Sequence, residues 1–146
     1  MLVVIVALAL LNLFGVRTRT VRDSGDDITL AVTYAQISRP GLATVWTARI
    51  AAVGAAPLPS ELTLRTTRDY LIQFDENGLS PEPTETDQDS EYMRWKFEPP
   101  PDSRELVVSF DARLEPGWRT GKQATTAVVV DDEPVVDVSY RTWIVP

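Results

Sequence analysis

A chain of 146 residues with no cysteine and no histidine has room for one domain. It lacks the groups for disulfides, thiolate chemistry, a Ser-His dyad and most transition-metal sites. Its net charge of −7 repels phosphate backbones and argues against a nucleic-acid partner.

The first element is an apolar run from Leu2 to Val16, interrupted only by the amide of Asn12 and by Gly15. Residues 1–16 read as a transmembrane anchor. As a helix, such a run rises about 22 Å, short of the roughly 30 Å hydrocarbon core. No basic residue precedes it, and its one small-x-small triplet, Ala7-Leu8-Ala9, lies inside it. A cleaved signal peptide therefore fits less well than an uncleaved anchor. Arg17, Arg19 and Arg22 follow at once, and the positive-inside rule taken literally places the domain in the cytoplasm. A gene start upstream of Met1 would lengthen the run and reverse that count. The expectation is a single-pass protein of the plasma membrane with its domain on the extracytoplasmic side. Asn12 is a candidate contact with another membrane protein, because an amide in hydrocarbon gains from a hydrogen-bonding partner.

Residues 17–27 read as a polar connector, and residues 28–146 as one domain of short strands. Ile28, Leu30, Val32 and Tyr34 alternate with Thr29, Ala31 and Thr33, the period of a half-buried strand. Thr44, Trp46, Ala48 and Ile50 form the inward register of a second strand, which the Pro57 and Pro59 segment ends. Leu62 and Leu64 begin a third, and Tyr70, Ile72 and Phe74 read as a short fourth. Met93, Trp95 and Phe97 alternate with Tyr92, Arg94 and Lys96, and Leu106 to Leu114 is the clearest strand of all. Pro116-Gly117 reads as a type II turn after it. Ala124 to Val130 and Val135 to Ile144 read as a final hairpin with its tip at Asp131-Asp132. Short strands at this spacing predict a mainly β fold: a single immunoglobulin-like antiparallel β-sandwich, preceded by the N-terminal transmembrane helix.

Between the fourth and fifth of these strands, Asp75 to Glu91 carries seven carboxylates and no base, and reads as a long loop. Clustered oxygens suit a hard cation such as calcium or a protein partner. Against that stands a solvated loop whose charges keep a sheet edge soluble. The candidates here are Asp75, Glu76, Asn77, Glu82, Glu85 and Asp87, although the alternate-residue spacing of a calcium loop and its distal Glu are missing. Of the four tryptophans, Trp46 and Trp95 sit in register with apolar neighbours and read as core, whereas Trp118 and Trp143 fall outside that register. Exposed aromatics can serve as carbohydrate platforms, protein hot spots or membrane-surface anchors. No nucleophile motif surrounds any serine and no glycine-rich phosphate loop is present, so the chain reads as a non-enzyme with no cofactor.

From Ile28 onward the layout resembles bacterial surface sandwich domains of the DUF11-like, immunoglobulin-like kind. The likeness rests on the proline turn before Leu62-Thr63-Leu64, the tryptophan strand Met93-Arg94-Trp95, and the Leu106 to Gly117 strand and turn. The whole plan also resembles small single-span actinobacterial membrane proteins of unknown function. Those run from a segment like Leu10-Leu11-Asn12-Leu13-Phe14-Gly15 to an end like Trp143-Ile144-Val145-Pro146, and some are encoded beside a polytopic YetF-type membrane protein. That resemblance implies an accessory role with no catalytic residues. The expected function is thus a membrane-tethered accessory or interaction domain for another membrane or envelope protein. The alternative is a module binding cell-wall glycan or calcium.

Overall fold

The computed structural model describes residues 17–38, 41–72, 74–76, 78–114 and 123–144. The apolar run at 1–16, and with it the expected transmembrane helix, lies outside them. Among the described residues no helix is long and apolar enough to cross a membrane.

Two sheets pack face to face. The first holds β1 (Arg17–Ser24), β2 (Ile28–Ser38), β3 (Ala43–Ala52), β8 (Glu105–Leu114) and β5 (Phe74–Glu76) in that order, with β11 (Trp143–Ile144) also paired to β2. The second runs β10 (Glu133–Arg141), β9 (Gln123–Val130), β4 (Leu62–Thr67), β7 (Tyr92–Phe97) and β6 (Glu85–Gln88). A single helical turn, α1 (Arg68–Leu71), follows β4. The period-two pattern decides which side chains meet between the sheets. Leu30, Val32 and Tyr34 of β2, Trp46, Ala48 and Ile50 of β3, and Val108 and Phe110 of β8 point inward from the first sheet. Leu62 and Leu64 of β4, Trp95 and Phe97 of β7, and Val136, Val138 and Tyr140 of β10 answer from the second. The fold is mainly β and of the immunoglobulin-like sandwich kind.

The core also holds polar atoms, and each of those named here has a partner. Trp46 Nε1 donates to the Tyr140 hydroxyl at 2.9 Å, and that hydroxyl is bonded to Thr126 Oγ1 at 2.7 Å. Thr126 in turn bonds Thr66 Oγ1 at 3.1 Å, across a β4–β9 register pair. Thr142 Oγ1 donates to the Ala35 carbonyl at 2.6 Å, so its single proton is spent and the Tyr70 hydroxyl, 2.7 Å away, is the donor to it. Burial pushes the Tyr70 and Tyr140 hydroxyls well above the ordinary phenol range, and both remain protonated donors.

Four sequence expectations change. Arg17–Ser24 is a strand rather than a connector: it pairs with β2 along its length, and only Val21 packs against the core. An edge strand with water on most of both faces has no reason to alternate. Tyr70, Ile72 and Phe74 are not a strand. Tyr70 and Leu71 are adjacent and both buried in α1, Ile72 is exposed, and Phe74 opens β5 in the other sheet. The apolar spacing there belongs to a crossover between sheets, not to a pleat. Val135 to Ile144 is broken at Thr142, where the chain leaves the second sheet and β11 joins β2 in parallel. The sandwich is therefore antiparallel except for that short pairing. Finally, the Asp75 to Glu91 segment is not one loop, since it contributes to β5 and forms β6.

The strand directions give the sandwich two distinct ends. At one, called the near end below, β1 begins with Arg17, β2 and β10 finish, and α1 lies. The far end holds the β1–β2 turn at Gly25, the segment 53–61 and the β9–β10 hairpin. Asp131 and Asp132, both at positive φ (52° and 64°), make the two-residue type I′ turn whose twist suits a hairpin.

Candidate functional site

The acidic candidates do not converge. Asp75 and Glu76 lie on β5 at the edge of the first sheet, described in their backbone alone, while Glu85 and Asp87 lie on β6 at the edge of the second. Glu82 is exposed in the turn between them, and Asn77 lies outside the described residues. Register explains what β6 does with its charge. Glu85 stands opposite Lys96 and Asp87 opposite Arg94 on β7. Lys96 Nζ reaches Glu61 at 3.1 Å and Glu85 at 3.7 Å, and these carboxylates raise its pKa. Arg94 reaches Asp89 at 2.7 Å and Asp87 at 3.7 Å. Exposed cross-strand pairs of this kind are screened by water and contribute little to stability. Their larger consequence is an edge strand exposed at every position and charged at alternate ones, a poor template for another strand.

Asp89 has a separate role, closing the β6–β7 turn. Its carboxylate accepts the backbone N–H groups of Glu91 and Tyr92, both at 2.8 Å, and the Arg94 guanidinium. The bond from Tyr92, then Arg94, then that from Glu91 lowers its pKa from the ordinary 3.8 to about 2. A carboxylate with a depressed folded-state pKa stabilises the fold above its unfolded value and loses that contribution as pH falls through the folded one. An NMR titration should therefore find the Asp89 carboxyl half-protonated near pH 2, with the turn amides of Glu91 and Tyr92 shifting over the same range. A midpoint near 3.8 would show that the clamp does not form.

The tryptophans divide by register. Trp46 and Trp95 are buried and face each other across the core, with ring centroids 6.3 Å apart. Trp143 is 54% exposed at the near end, with the Arg141 guanidinium 5.0 Å from its ring centroid. Trp118 and Asn12 lie outside the described residues. No group of three or more acidic side chains that could hold a metal ion is present among the described residues.

What sequence reasoning did not single out is a groove of about 500 Å³ at the far end. Pro57, Pro59 and Pro134 line it together with Val130 and Val135, and Asp26 and Asp27 stand at one side. Its walls are fixed locally. The Arg104 guanidinium donates to the carbonyls of Ala55 at 3.3 Å and Ala56 at 3.2 Å, and also to that of Gly54, so the chain entering Pro57 is held by its own oxygens. Leu58, between the two prolines, is buried as a plug in the core, and its N–H donates to the Ser103 carbonyl at 2.8 Å. On the other wall a bulge in β10 at Val135 turns the backbone toward the β1–β2 turn. A Cβ placed on Gly25 would meet the Val135 carbonyl oxygen at 2.4 Å. Gly25→Ala must push the turn off β10, and the expected cost is about 1–3 kcal/mol, read as a lower urea midpoint. An unchanged midpoint would mean that the turn does not pack there. The sequence held two faint signals of this groove, the Asp26-Asp27 pair and the Pro57-Leu58-Pro59 break, but nothing in it says that they meet.

An opening of this kind, apolar with a few convergent polar groups, can bind a short segment or a small ligand. Asp26 and Asp27, with Asp131, Asp132 and Glu133 on the neighbouring hairpin tip, favour a cationic one. No protein-family model matches the sequence, and no curated protein matches it either. Among solved structures, the N-terminal domain of the Streptococcus gordonii adhesin Sgo0707 is similar, with a TM-score of 0.56 at 13% identity over 82% of this chain. This chain spans 33% of that structure. The CARDB domain of the PF1109 protein from Pyrococcus furiosus, solved in complex with di-metal ions, has a TM-score of 0.49 at 11% identity, over 87% of this chain and 95% of that one. At such identity the adhesin match shows the shared fold and no shared residue role.

Proposed function

We propose that this chain is a membrane-tethered, non-enzymatic β-sandwich that acts as an accessory or interaction domain for another membrane or envelope protein. The observation that supports it best is the position of the far-end groove. The apolar run at 1–16 enters the fold at Arg17, on the near end, and the groove opens at the opposite end, beyond the β1–β2 turn. A tether there leaves the groove pointing away from the bilayer, where a partner can reach it. The partner surface that suits it is a short apolar segment flanked by lysine or arginine, set against the carboxylates of Asp26 and Asp27. The adhesin likeness supplies a fold that can present such a surface and names no partner for this chain.

Because the sequence has no cysteine, one introduced residue gives one crosslinking site. A photoactivatable thiol reagent on Ala56→Cys, in native membranes, should yield one reproducible heteromeric adduct. The same reagent on Thr86→Cys, in the exposed edge strand β6, should yield none. Adding Asp26→Lys and Asp27→Lys should abolish the adduct while leaving the thermal midpoint unchanged. Recovery of monomer alone, or equal adducts from both positions, would overturn the proposal. Sidedness is read separately: Ser80→Cys should react with an impermeant thiol reagent on intact cells, and protection there would place the domain in the cytoplasm.

A further inference from the structure

We infer that the near end of the sandwich is a seat for the lipid headgroup layer, held against it through Trp143, Ile72 and Leu42. The inference rests on the tethered reading above and adds the surface that meets the bilayer. The first observation is the absence of slack. The apolar run ends at Val16, and β1 is paired to β2 from Arg17 onward, with Arg17 opposite Ile37. A strand residue spans about 3.3 Å, so a segment inserted up to Val16 leaves the near end no room to stand off from the headgroups.

The second observation is what the near end exposes. Trp143 pairs with Ile37 from the edge of β2 opposite to β1, so Arg17 and Trp143 flank the same residue. Leu42 directly precedes Ala43, whose partner is Arg113 near the close of β8. Ile72 follows α1 at the same end. These three are 54%, 37% and 45% exposed in the order Trp143, Leu42, Ile72, and the other exposed large hydrophobics among the described residues are all valines: Val45, Val53, Val107 and Val135. A tryptophan with an arginine over its ring, beside isoleucine and leucine, is the composition that partitions to a membrane interface, ring in the headgroups and charge toward phosphate.

The third observation is electrostatic. Arg17, Arg68, Arg113 and Arg141 lie toward the near end together with Asp69, Asp75, Glu76, Asp89 and Glu91, whereas Asp26, Asp27, Asp131, Asp132 and Glu133 are gathered at the far end. A negatively charged leaflet pushes the far-end carboxylates away, and at the near end the arginines offset the repulsion of their acidic neighbours. Charge at the near end is thus mixed and that at the far end acidic, so an anionic leaflet disfavours the far end more.

The test uses the full chain reconstituted in vesicles of phosphatidylcholine and phosphatidylglycerol. A bimane fluorophore is placed on Asp69→Cys, exposed in α1 beside Ile72, or on Ser60→Cys, exposed at the far end. Flotation reports the tether, and quenching by lipids nitroxide-labelled near the headgroup reports the seat. Both variants should float, with loss of emission at position 69 and none at 60. Adding Trp143→Ser and Arg141→Ser should relieve the quenching at 69 while flotation persists. Flotation without quenching at 69 would overturn the seat and leave the tether standing. An emission change at 69 that needs no labelled lipid and grows with protein density would assign this surface to a second copy and overturn the seat as well. Failure to float would overturn both.

Discussion

Replacing Trp46 by alanine is expected to lower stability by about 3–5 kcal/mol, the range for truncating a fully buried aromatic, read as a large fall in the urea midpoint. Trp46 is 3% exposed at the centre of β3 and stacks on Phe110 of β8 at 5.0 Å, with 16° between the rings. Across the core it reaches Trp95, and its indole N–H donates to Tyr140. Alanine removes the ring that both sheets pack on and takes from the Tyr140 oxygen its donor. The Trp46→Phe variant separates these losses, since it keeps most of the volume and gives up the hydrogen bond. Truncating Trp143, half exposed at the near end, should leave the midpoint nearly unchanged. Equal losses at the two tryptophans would contradict the assignment of one to the core and one to the surface.

Thr142→Val should cost about 1–3 kcal/mol, because it removes the hydroxyl that bonds both the Tyr70 hydroxyl and the buried Ala35 carbonyl and gains back only a methyl. Thr142 is fully buried at the point where the chain leaves β10 and enters β11. Its hydroxyl accepts a hydrogen bond from Tyr70 and donates one to the Ala35 carbonyl, tying α1, β2 and the C-terminal crossover together. Valine fits the space and makes neither bond. Hydrogen exchange sharpens the prediction: amides of Trp143 and Ile144, which pair with Ile37 and Ser38, should lose protection before those of the central strands. A Thr142→Ser variant keeps the hydroxyl and should retain most of the stability. A valine variant as stable as the parent would show that Tyr70 and Ala35 find other partners.

The acidic segment shows how chemistry that looks like a site in one dimension is used otherwise in three. Seven carboxylates in seventeen residues, from Asp75 to Glu91, suggest a cation or a partner. Folding sends the two ends of the segment to different sheets and sets Glu85 and Asp87 against Lys96 and Arg94, which lie outside the segment and whose opposition depends on register. The far-end groove is the converse case. Asp26 and Pro57 are ordinary turn residues and Pro134 sits near the start of a strand, and only the packing of these separate segments makes them a surface.

Sequence by itself determined the class of the fold and most of its interior. Alternation names Leu30, Val32, Trp46, Ile50, Trp95, Phe97 and Phe110 as inward-facing because successive side chains of a strand point to opposite faces and the larger apolar set turns to the core, and each of them is buried. The same logic separated Trp46 and Trp95 from Trp143, and the two aspartates at the β9–β10 turn marked a hairpin tip because that turn requires positive φ. Tertiary structure alone decided whatever depends on which strands are neighbours. Arg17–Ser24 is a strand only because β2 offers it an edge, β11 is parallel only because Thr142 carries the chain between sheets, and α1 interrupts an apparent alternation because Tyr70 and Leu71 must both be buried at the crossover. Hydrogen bonds across a ladder and contacts between loops join residues far apart along the chain, and no local pattern records them. The two surfaces proposed for function, the far-end groove and the near-end seat, both belong to that second kind.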